Sequence, residues 1–269
     1  MMKGRRITLM ATLAMVLAAA SANAAMLMTD NFNSYTLGNL VPQDAWTAHS
    51  GAGTGPVQVL PNSPCYFPPE EPGNFIQLVP GQAEDVNKPI GSEMGAGDKW
   101  YAGFCVHIDG LSPVTKSDYF AHFLQGTTLF AAKIGVTLPA AGGDYRFYLW
   151  QGSGSGPGTA LWATDFQYST CHRIVTAYDY DTGDVEMWVD PVLALGEDGN
   201  PSVEVLGIYP GNEIIAYAFR QGSNNPATED VDNLQVGTTW GDVAGPCVPE
   251  PGTLALLLIG GVLAARRRR

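Results

Sequence analysis

Between residues 25 and 252 no long stretch repeats its apolar residues every 3.6 positions, and glycine and proline break the chain roughly every 10 to 20 residues. Long helices do not survive that punctuation. Between the breaks lie short runs rich in β-branched and aromatic residues, which suit strands. The clearest are KWYAGFCVHID (99–109), YFAHFLQ (119–125), LFAAKIGVTL (129–138), DYRFYLWQ (144–151), HRIVTAYDY (172–180), DVEMWVD (184–190) and EIIAYAFRQ (213–221). DYDTGD (179–184) sets Thr-Gly between two alternating runs and GEDGNP (196–201) offers Asp-Gly, so each predicts a hairpin. The fold expected is all-β, a sandwich or jelly roll. About 225 residues suit one such domain, placed at 25–243.

Alternation sorts three of these runs into two faces. Phe104, Val106 and Ile108 oppose Cys105, His107 and Asp109; Val185, Met187 and Val189 oppose Glu186, Trp188 and Asp190; Tyr145, Phe147 and Leu149 oppose Arg146, Tyr148 and Trp150. The first set of each reads as core. The second mixes polar and aromatic side chains, so His107, Arg146, Tyr148, Trp150 and Trp188 are expected to line one side of a sheet. Flat rings beside hydrogen-bonding groups make a carbohydrate platform, because sugar C–H faces stack on rings while hydroxyls find polar partners. The competing expectation is that loops or a second sheet cover these aromatics.

The N-terminus reads MMKGRR, an apolar run over 7–20, then SANAA. That is a signal peptide over 1–24, with Ala22 and Ala24 forming the small-residue site for signal peptidase. The chain is therefore expected to be exported. The remaining body sets seven basic residues against all 26 acidic ones, a net of −19. Phosphate binding needs clustered Lys and Arg, so nucleic acid is excluded as a partner. Four cysteines in an oxidising compartment predict two disulfides with three connectivities open. Cys247 is expected in an internal disulfide, with Cys65 or Cys171 as candidate partner. No CxxC or Cys/His metal spacing occurs, which argues against a zinc site. GSGSGPG (152–158) lacks the Lys of a phosphate-binding loop and reads as a plain loop.

Three segments together resemble exported jelly rolls of the concanavalin A-like and laminin-G-like type. DNFNSYTLGNLVPQDAWTAHSG (30–51) resembles their opening strand, RIVTAYDYDTGDVEMWVDP (173–191) their Tyr-Asp hairpin, and AFRQGSNNPATEDVDNLQVGTTW (218–240) their last strand. The resemblance implies an all-β, two-sheet antiparallel jelly-roll sandwich in which first and last strands lie side by side. Asp30 and Asn31 would then approach Asp230 and Asp232 and offer hard oxygens to a structural Ca2+. The laminarinase branch of such folds carries a Glu-x-Asp-x-(x)-Glu strand, which is missing here, as are Gly-x-Ser-x-Gly and His-Glu-x-x-His. No catalytic residue is assigned. A non-catalytic module that binds extracellular polysaccharide is the preferred reading; a surface polysaccharide hydrolase or lyase, or a purely structural matrix protein, are the alternatives.

The tail follows a linker over 244–252 that contains Pro249, Glu250 and Pro251. An apolar segment over 253–265 and Arg266, Arg267, Arg268 and Arg269 complete it. The three parts in this order resemble the PEP-CTERM sorting signal. That resemblance implies recognition by an exosortase in a Gram-negative bacterium and delivery to the envelope, cell surface or extracellular matrix. As a helix, 13 residues span about 20 Å against roughly 30 Å of hydrocarbon. The segment 253–269 is thus expected to hold the inner membrane only transiently, with its arginines on the cytoplasmic side.

Overall fold

A computed structural model describes residues 25–65, 73–112, 118–126, 129–152, 160–168, 170–207, 209–222, 224–245 and 247. The signal peptide, Pro249–Glu250–Pro251 and the segment 253–269 lie outside the described residues. Among those described, no helix is long and apolar enough to cross a membrane.

The strands run β1 (Met26–Asp30), β2 (Gly38–Asn39), β3 (Thr47–Ser50), β4 (Gln58–Pro61), β5 (Asn74–Leu78), β6 (Asp85–Pro89), β7 (Lys99–Leu111) and β8 (Tyr119–Gln125). They continue as β9 (Leu129–Thr137), β10 (Arg146–Trp150), β11 (Ala160–Leu161), β12 (Cys171–Asp179), β13 (Val185–Val189), β14 (Val203–Val205), β15 (Ala216–Phe219) and β16 (Ala227–Gly237), before a short helix α1 (Trp240–Val243). Nine strands form one sheet in the order β14-β13-β12-β7-β16-β5-β4-β2, with β1 also on β16. Seven form the other, β11-β10-β9-β8-β15-β6-β3. Neighbours pair antiparallel, so the chain is the expected two-sheet jelly-roll sandwich.

All seven expected strands form. The last narrows to Ala216–Phe219, because Gln221 turns away and its amide donates to the carbonyls of Gly55 and Glu84. The Thr-Gly turn joins β12 to β13, with Gly183 at φ +73° and no room for a Cβ against Tyr209 and Pro210. β13 and β14 also pair, across a longer connection that includes 196–201. Asp30 faces Leu234 across the β1–β16 pair, as the resemblance implies for first and last strands.

The inward sets meet between the sheets: Phe104, Val106 and Ile108 of β7 join Phe147 and Leu149 of β10 and Val185 and Met187 of β13 in one apolar core. At one end of the core the Asp30 carboxylate accepts from Lys88 Nζ at 2.8 Å, from Trp46 Nε1 at 2.9 Å and from the Tyr35 hydroxyl. Lys88 also reaches Asp44 at 2.7 Å. Burial pulls the Lys88 ammonium down, but Asp30 and Asp44 outweigh it and hold its pKa above the ordinary lysine value.

Disulfides join Cys65 to Cys171 and Cys105 to Cys247, each with Cα atoms 5.5 Å apart. Cys247 is in an internal bridge, but with neither Cys65 nor Cys171. Its partner Cys105 points outward from β7, and α1 carries the chain back over that face.

Candidate functional site

The polar and aromatic side chains of the two sheets do not form one platform. His107 and Trp188 belong to the nine-stranded sheet; Arg146, Tyr148 and Trp150 belong to the seven-stranded one. Trp188 is buried beneath α1, in a cluster with Tyr101, Val243 and Ala244, its ring 4.9 Å from that of Trp240. Arg146 is tied at 2.8 Å to Asp165, which also accepts from the Ala140 and Ala141 amides. Those amides, with Arg146, hold the Asp165 pKa down to about 2.

What the seven-stranded sheet does assemble is larger than the pair Tyr148 and Trp150. Two register shifts between β8 and β9, and a positive φ of 49° at Ala132 in β9, break the alternation. As a result Phe120, Ala121 and Phe123 all join the core, and so do Ala131, Ala132 and Ile134. Tyr119 and His122, three apart, share the outer face; so do Phe130 and Lys133. Strict period 2 sets the members of each pair on opposite faces, which is why sequence reading missed them. The outer position of Tyr148 has its own cause: its ring occupies the space over Gly135, where a Cβ would lie 2.3 Å from the hydroxyl.

The rings form a row. Trp150 lies 5.7 Å from Tyr119, Tyr119 5.3 Å from His122, His122 4.5 Å from Phe130, and Phe130 5.5 Å from His49. Between β8 and β3 lie β15 and β6; β15 adds only Ala216 and Ala218 to this side, and His49 reaches the Phe130 ring. His49 and Phe130 keep partial exposure, while Tyr119, His122 and Trp150 are buried behind them.

Charges are set among the rings. Arg220 bridges Asp118 (2.7 Å) and Asp85 (3.3 Å), with its guanidinium 4.6 Å from the Tyr119 ring centre. Burial raises the Asp118 pKa against the pull of Arg220. Lys133 Nζ sits 3.5 Å from the Trp150 ring centre and donates to the Gly152 carbonyl. Burial lowers the Lys133 pKa to about 8. His122 is pushed down to about 3, first by burial and then by the positive charge of its neighbours, against the Phe123 carbonyl that its Nδ1 contacts at 3.1 Å. The imidazole is therefore neutral at pH 7. Thr47 and Asn87 add polar groups at the exposed rim.

The expected Ca2+ ligands are not gathered into one cage. Both Asp30 oxygens are occupied, one by the Phe32 amide and one by Lys88, Trp46 and Tyr35, so an ammonium already supplies the positive charge. The Asn31 side chain accepts from the Asn33 amide. Asp232 is buried with its pKa raised to about 6, chiefly by desolvation. Asp230 turns instead toward His107 and accepts from Gln77 at 2.9 Å. Asp230, opposed by burial and joined by Asp109, raises the His107 pKa.

No protein-family model matches the chain, and a search of curated proteins returns no match. Solved structures are similar to it in architecture. Domain 4 of an extracellular arabinanase from Geobacillus stearothermophilus has 12% identity and a TM-score of 0.44 over 80% of this chain and 93% of its own. The Emp47p carbohydrate recognition domain has 14% identity and a TM-score of 0.44 over 80% and 97%. A carbohydrate esterase of Shiga toxin-encoding bacteriophage phi24B has 9% identity and a TM-score of 0.48 over 80% and 99%.

Proposed function

We propose that this chain is an exported jelly-roll module, displayed at the cell surface or in the extracellular matrix, that binds an extracellular polysaccharide without cleaving it. The ligand lies on the outer face of the seven-stranded sheet. The observation that carries this reading is the ring row from Trp150 to His49, interleaved with Arg220, Asp85 and Lys133. Phe130 and His49, the partly exposed rings, offer stacking surface to sugar C–H faces, with Tyr119, His122 and Trp150 packed behind them, while Arg220, Thr47 and Asn87 offer hydrogen bonds to hydroxyls. Asp85 and Asp118 both engage Arg220, so neither is a free nucleophile, and the site suits holding better than bond cleavage. The signal peptide and the Pro249–Glu250–Pro251 tail supply the route, by signal peptidase and then an exosortase.

A glycan array tests the reading. Trp150→Ala and Phe130→Ala are expected to lower affinity roughly tenfold or more, about 1.4 kcal/mol. Trp188→Ala, on the other sheet and beneath α1, is expected to retain binding per folded molecule. Unchanged binding in both Trp150→Ala and Phe130→Ala would refute the site. Release of oligosaccharides from a matrix polysaccharide would instead favour the hydrolase or lyase alternative.

A further inference from the structure

Two histidines of the nine-stranded sheet stand beside carboxylates, and they do so differently. His172 Nδ1 lies 2.6 Å from Asp190 Oδ2, a direct hydrogen bond. His107 Nδ1 lies 3.3 Å from Asp109 Oδ1 and 3.7 Å from Asp230 Oδ2. It is enclosed and has no hydrogen-bond partner of good geometry among the described residues. N–H···O bonds lie at about 2.7–3.2 Å and His172 meets Asp190 at 2.6 Å, whereas the two carboxylates around His107 stand farther off.

The sheet itself holds them there. Asp230 of β16 is the cross-strand partner of His107 on β7, and Asp109 lies two residues along on the same face. Gln77 of β5 donates to Asp230 Oδ1 at 2.9 Å, leaving Oδ2 directed at the imidazole. The three ligand atoms all lie within 4.8 Å of one another.

We propose that His107, Asp109 and Asp230 form a site for a borderline divalent cation of the zinc type. Ligands bound at 2.0–2.2 Å in a tetrahedral set lie about 3.3–3.6 Å apart, close to the spacing seen around Nδ1. One imidazole with two carboxylates matches such an ion better than Ca2+, which takes six to eight oxygens. All four cysteines are in disulfides and do not compete for it. Asp109 is 51% exposed, which leaves a path for the ion and room for water as the fourth ligand. Linear spacing argues against zinc because Asp230 is more than a hundred residues from His107 and Asp109 in the chain and meets them only through strand pairing.

Calorimetric titration of the tag-free, metal-depleted full chain with ZnCl2 tests this. One equivalent is expected to bind. His107→Gln, Asp230→Asn and the half-exposed Asp109→Asn are each expected to weaken it at least tenfold, while His49→Gln on the other sheet leaves it unchanged. Co2+ should give the visible absorption of a tetrahedral site, lost in His107→Gln. Circular dichroism identifies any variant that fails to fold, and Asp109→Asn keeps the test open if a buried variant does. Absence of binding, binding indifferent to all three ligand variants, or equal affinity for CaCl2 would overturn the proposal.

Discussion

His122 gives a sharp test of how the ring-lined face is built. Its pKa falls from 6.5 in the unfolded chain to about 3 in the fold, because burial among Tyr119, Phe130 and His49 penalises the imidazolium. A histidine depressed in this way leaves stability intact above pH 6.5 and removes it as pH falls from there toward 3. Each pH unit costs about 1.4 kcal/mol, so at pH 4.5 the loss is about 2.7 kcal/mol. His122→Gln keeps a donor for the Phe123 carbonyl and cannot titrate. Urea unfolding of both proteins at pH 7.5 and 4.5, followed by tryptophan fluorescence, isolates the effect, since every other titrating group cancels in the difference. With a slope near 3 kcal/mol per molar, the wild-type midpoint should fall by about 1 M more than that of the variant. A difference that is the same at both pH values would mean that His122 is solvated, and the description of a closed ring row would fail with it.

Lys133 shows the same sign of pH dependence in a higher window. With its pKa lowered from 10.5 to about 8, the wild type should gain about 3 kcal/mol relative to Lys133→Met as pH rises from 7 to above 10.5, read by the same denaturation series. Lys88→Ala leaves the buried Asp30 carboxylate without its cation and should cost about 3–5 kcal/mol, a fall of roughly 10 °C in calorimetric midpoint.

The architecture was readable because its strongest strands are long and regular. KWYAGFCVHID and DVEMWVD alternate without interruption, so their inward faces follow from period 2 alone. The site was only partly readable, for three physical reasons. Alternation tells which face a residue is on within its own strand, but not which sheet the strand joins; period 2 alone therefore groups Trp150 with Trp188, which lie on different sheets. A bulge shifts every later side chain by one, which hid Tyr119 with His122 and Phe130 with Lys133. Long-range partners such as Lys88 for Asp30, or α1 over Trp188, depend on chain crossings that local composition does not encode.

The way the chain leaves the sandwich decides how it bears load. Arg173 is buried on β12 and donates to the Val243 and Asn233 carbonyls, while Cys247 is bonded to Cys105 on β7, a strand with β12 on one side and β16 on the other. A pull from beyond residue 247 therefore enters the sheet through a covalent bond at an interior strand. β7 pairs along its length with both neighbours, so separating it means shearing two ladders at once, whereas an edge strand unzips one bond at a time. Tension applied there is shared across the broad sheet and leaves the ring-bearing sheet outside the line of force.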